Sequence, residues 1–111
     1  MSGQINVALG GVEMVAGPQW SWDLVEELRL TLRRVVETRP ADPDAVVAGT
    51  SPELAEQARV ATSGWSRSDK LSLYTLILVA ITADYSNVAT VAAAVQALFH
   101  HVMTTGKLPG S

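Results

Sequence analysis

From Leu71 to Gly106 the chain runs for 36 residues with a single charged side chain, Asp84. Large apolar side chains leave water wherever they can, so a stretch this poor in charge must sit in a core or under a partner. Its most apolar run, Leu71 to Ala83, is broken by Ser72, Tyr74, Thr75 and Thr82. As a helix that run spans about 20 Å, short of the ~30 Å hydrocarbon core of a bilayer, and it predicts no membrane span.

The remaining composition narrows the classes. The chain has 111 residues, 48% of them hydrophobic, which excludes an intrinsically disordered polypeptide. That length supports one hydrophobic core, so a single domain over 1–111 is expected. Charged residues are 17% of the chain, against about 25% in ordinary soluble domains. There is no cysteine, which removes disulfide scaffolds, thiolate zinc sites, iron–sulfur clusters and cysteine nucleophiles together. Eight basic and eleven acidic residues give a net charge of −3, a poor balance for binding a polyanion. The patch Arg29, Arg33 and Arg34 is offset by Glu26, Glu27 and Glu37. No glycine-rich phosphate loop is present, and no cofactor or metal is implied. The first residues lack the basic and apolar regions of a signal peptide, so a cytoplasmic protein is the expectation.

Local patterns predict the elements. Ile5, Val7 and Leu9 alternate before Gly10-Gly11, and Val12, Met14 and Ala16 after it, the pattern of a β-hairpin over 5–16. Ser21 caps a helix from Trp22 to Thr38, with Trp22, Val25, Leu28, Leu32, Val35 and Val36 at helical spacing. Asp42-Pro43 starts a one-turn helix ending at Gly49, and Ser51-Pro52-Glu53 starts another that runs to about Ala61. Ser66 or Ser68 caps the next, running to Ala83, although β-branched residues leave a buried strand open for 71–83. Ser86 caps the last, Asn87 to Thr104, which ends at Gly106. The fold class expected is mostly α: a compact four-helix-type bundle over 21–106 with an N-terminal β-hairpin.

The last helix carries two stripes. Val88, Val91, Val95, Leu98 and Val102 form a large apolar one, and Ala89, Ala93 and Ala97 a small one. With both stripes apolar, the helix is either central to the core or packed against another copy.

Residues with chemical potential are few. His100 and His101 are adjacent, so on a helix they point about 100° apart and cannot chelate one metal. Folding 68–83 against 86–104 about Asp84-Tyr85 brings His101 opposite Ser68, near Asp69 and Ser66. A Ser/His/Asp hydrolase built there would also need an oxyanion hole and a pocket. Asp84, Tyr85, Ser86 and Asn87 read as a polar turn between helices. Trp20 and Trp22 flank Ser21 and suit either packing or an interface anchor.

These features favour a non-enzymatic interaction or self-assembly module. Its partner is a second copy or another protein, and its interface residues are Ala89, Ala93, Ala97, Val91, Trp20 and Trp22. The alternatives are a small apolar-ligand binder with a pocket lined by Trp65, Tyr74, Leu78 and Phe99, and a hydrolase using Ser68, Asp69 and His101.

Overall fold

The computed structural model describes residues 18–109. They form five helices in chain order: α1 Trp22–Thr38, α2 Pro43–Ala48, α3 Pro52–Ala61, α4 Arg67–Ala83 and α5 Val88–Thr105. Each begins where a short polar side chain captures an orphan backbone N–H of the first turn. Ser21 accepts from the Leu24 amide at 3.2 Å, Asp42 from Ala45 at 3.2 Å, and Ser51 from Leu54 at 3.2 Å. Ser66 accepts from Asp69 at 3.1 Å. Asn87 accepts from both Ala89 and Thr90, at 2.8 and 3.2 Å. Pro43 and Pro52 occupy first helical positions, where their missing N–H costs nothing.

Two helix ends use the left-handed conformation. Gly106 closes α5 at φ 72°, and its N–H reaches the Val102 carbonyl at 2.7 Å. Arg39 closes α1 at φ 47° without glycine's freedom, and its N–H bonds Val35 O at 2.9 Å. Pro40 then prevents continuation. The strained turn is held from outside, because Arg67 donates Nη1–H to the Arg39 carbonyl at 2.8 Å.

Spacing decides what is buried. On α1, Val25, Leu28, Leu32 and Val35 recur every three or four residues and are all fully buried. They lie along α4, whose Leu73, Tyr74, Ile77 and Ile81 face inward. Helix α5 leans on α4, α3 and, over a smaller area, α1, through Val91, Val95, Phe99 and Val102. The short α2 is bound to α3, α1 and α4. All these side chains join one core cluster.

The expected mixed architecture is overturned. The described residues are 74% helical, with five helices and no strand or sheet among them. Mostly α holds, but a bundle carrying a β-hairpin does not. Residues 5–16, to which the Gly10-Gly11 pattern assigns the hairpin, lie outside the described residues. The strand alternative for 71–83 also falls, because α4 is a capped 17-residue helix. On α5 the cap is Asn87 rather than Ser86, and Phe99 takes the buried position that spacing gave to Leu98.

Two substitutions test this account by denaturant titration. Ile77→Ala, in the fully buried wall of α4, is expected to cost about 2–5 kcal/mol, whereas Val79→Ala on the exposed side of the same helix costs less than about 0.5 kcal/mol. Arg39→Gly is expected to stabilise the fold by about 0.5–1 kcal/mol, since relief of left-handed strain outweighs glycine's added freedom in the unfolded chain.

Candidate functional site

The loop Asp84–Asn87 is short enough to make α4 and α5 antiparallel neighbours. Their sequence is the charge-poor one, so their shared outer surface inherits that poverty. Ala89, Ala93, Ala97 and His100 point to solvent on α5, and Ser72, Val79, Thr82 and Ala83 on α4. Val79 is 55% exposed and Met103 52%. Asp84 marks one end of this surface; Arg67, Asp69 and Lys70 mark the other. Between them lies a neutral face along α5 about 27 Å long.

Helix α5 is also, by length and composition, apolar enough to cross a membrane, yet only 22% of it is buried inside the protein. A helix of that hydropathy at the centre of a soluble core would be mostly covered. This one contributes Val91, Val95, Phe99 and Val102 inward and leaves its small-residue stripe bare. Of the other expected interface residues, Val91 is fully buried, Trp20 is half-buried against the core, and Trp22 is exposed.

The hydrolase residues are not linked. Ser68 and Asp69 are exposed, His101 is half-buried, and no hydrogen bond joins their side chains among the described residues. Ser66 is occupied as the α4 cap. Nor do the four expected pocket residues line one cavity. Tyr74 and Phe99 are buried in the core, Leu78 packs against it, and Trp65 borders a cleft that includes none of the other three. No cluster of three or more His, Asp or Glu side chains able to hold a metal occurs among the described residues.

Two polar clusters escaped the sequence reading because their partners are far apart in the chain. In the first, Asp44 on α2 accepts from Lys70 Nζ at 2.8 Å and from the Tyr74 hydroxyl. Lys70 and Asp44 side chains are only 21% and 14% exposed. Burial, and then the Asp44 carboxylate, hold the Tyr74 phenol well above its usual range, so it remains a donor. In the second cluster, the Tyr85 hydroxyl bonds Glu26, whose other oxygen accepts from Arg29 at 2.8 Å. The Arg29 guanidinium lies 5.4 Å from the centre of the Tyr85 ring, and Trp22 meets that ring edge-on at 5.2 Å. This cluster pins the α4–α5 turn to the start of α1. The Arg29 bond, and then the Tyr85 bond, draw Glu26 below the ordinary carboxylate range.

Comparison with protein-family models, curated proteins and solved structures finds no match to this chain.

Both clusters give measurable outcomes. Asp44→Ala leaves a largely buried ammonium and a phenol without their acceptor, and is expected to cost about 1–3 kcal/mol by denaturant titration. Glu56→Ala, which removes only an exposed pair with Arg59, should leave the midpoint unchanged. Carboxyl NMR should place the Glu26 midpoint below that of an exposed glutamate, and Arg29→Met should raise it. The sign follows: the folded value is depressed, so the Glu26 contribution is present above the ordinary carboxylate range and is lost as pH falls through the lowered value.

Proposed function

We propose that this chain is a non-enzymatic interaction module that self-associates or docks in a larger assembly through the outer face of α5. The observation that supports it is the bare stripe Ala89, Ala93 and Ala97 on a helix without a charged side chain over its whole length. Small side chains four residues apart let a second helix approach near the short end of the usual 8–10 Å spacing. An uncharged face loses no ion hydration when it is covered. Exposed Met103 adds apolar area on the same helix, and exposed Val79 adds some on α4. Nothing in the placement of Ser68, Asp69 and His101 favours a hydrolytic reading over this one.

Light scattering over a range of protein concentrations tests the proposal. A dimer or larger species is expected, and Ala93→Glu should weaken it by at least about tenfold, because the new carboxylate would be buried without a partner. A monomer at every concentration, with no protein partner retained by the wild-type chain and lost on Ala93→Glu, would sink the reading. Flotation with phospholipid vesicles, abolished by the same substitution, would replace the protein partner with a lipid surface.

A further inference from the structure

A cleft of about 320 Å³ opens where the start of α4 meets the end of α5, well away from the small-residue stripe. Gly64, Trp65, Ser66, Asp69, Gly106, Lys107 and Leu108 line it. That volume is at the lower end of the ~300–1,000 Å³ range typical of small-molecule sites. Two of its walls turn on glycines in the left-handed region, Gly64 at φ 84° and Gly106 at φ 72°. No atom lies within 4 Å of where a Cβ would sit on either, so it is the backbone conformation and not space that calls for glycine there. Trp65 packs inward against the core and still borders the cleft, a fixed apolar surface at its edge.

Opposite charges border the same space. Asp69 and Lys107 both line the cleft, yet neither enters an ion pair, with each other or with any third residue, among the described residues. Ser66 Oγ accepts the α4 cap bond from the Asp69 amide, and the two charged groups are the strongest polar handles in the cleft. The start of α4 adds about half a positive charge beside Asp69 and the end of α5 about half a negative charge beside Lys107, each opposite in sign to the side chain's full charge and smaller than it, so the side chains set the polarity.

We propose that this cleft binds a small zwitterion with an apolar side chain, the chemistry of a free α-amino acid. Its ammonium meets Asp69, its carboxylate meets Lys107, and its side chain lies against Trp65. Each end of such a ligand meets a charge that has no ion-pair partner among the described residues, and the tryptophan supplies the apolar contact. This inference is independent of the α5 face, since none of the cleft residues belongs to the stripe.

The test is a ¹H–¹⁵N NMR titration of the intact chain with L-phenylalanine, with phenethylamine and 3-phenylpropionate as probes that each lack one charge. Saturable shifts centred on the Trp65 indole, Gly64 and Gly106 are expected for the amino acid, with weaker binding of both controls. Asp69→Asn and Lys107→Gln should each reduce affinity by about two- to fivefold, the scale of an exposed ion pair, with the amide spectrum of the free protein unchanged away from the substituted residue. Three results would overturn the proposal: no saturable shift at millimolar L-phenylalanine, equal binding of either control, or unchanged affinity in both variants.

Discussion

Helix α4 offers an inward wall of Leu73, Tyr74, Ile77 and Ile81, and α1, α2 and α5 all press against that helix. Burying each such side chain fully is worth about 1.5–3 kcal/mol, and the wall is continuous because its residues repeat every three or four positions. Helix α1 meets it with Val25, Leu28, Leu32 and Val35. The short α2 could not persist alone at six residues. It is fastened to α4 by Asp44, which takes a proton donor from each of two successive turns, Lys70 and Tyr74. A helix with so many neighbours on one side has little freedom on the other, and the exposed residues of α4 are small or uncharged for most of its length.

Much of this was legible in the sequence because helix boundaries are local chemistry. Ser21, Asp42 and Ser51 announce their helices by a side-chain oxygen placed before the first turn, the α4 cap is open between Ser66 and Ser68 in the sequence and falls to Ser66 in the structure, and Gly106 announces an end by its tolerance of positive φ. The error at Ser86 and Asn87 arose because both residue types can cap, and only the backbone geometry decides between them. The exchange of Leu98 for Phe99 as the buried residue has a similar origin. The two are about 100° apart on the helix, and only contact with the neighbouring helices selects one. Asp44 with Lys70 and Tyr74, and Glu26 with Tyr85, lie 26 or more positions apart, and no periodicity connects them.

The hairpin expected over 5–16 lies outside the described residues, which hold no strand. Alternation about Gly10-Gly11 is a local signal for strand pairing, but a lone hairpin needs a surface to lie on. The described residues provide helices and no sheet edge. For the candidate site, the alanine stripe could be read from spacing alone, while its exposure could not. Two stripes on one helix compete for the core, and the larger side chains win because each buries more apolar area.

The neutral face of α4 and α5 has a thermodynamic character distinct from the rest of the surface. Elsewhere Arg33 pairs with Glu37 and Arg59 with Glu56 at the exposed surface, contacts that added salt screens. The α5 helix carries no Asp, Glu, Lys or Arg, so a contact of the kind proposed there would be held chiefly by excluded water. Such a contact is indifferent to moderate ionic strength, tightens in sulfate, and loosens on cooling, because the driving force is the entropy of released solvent.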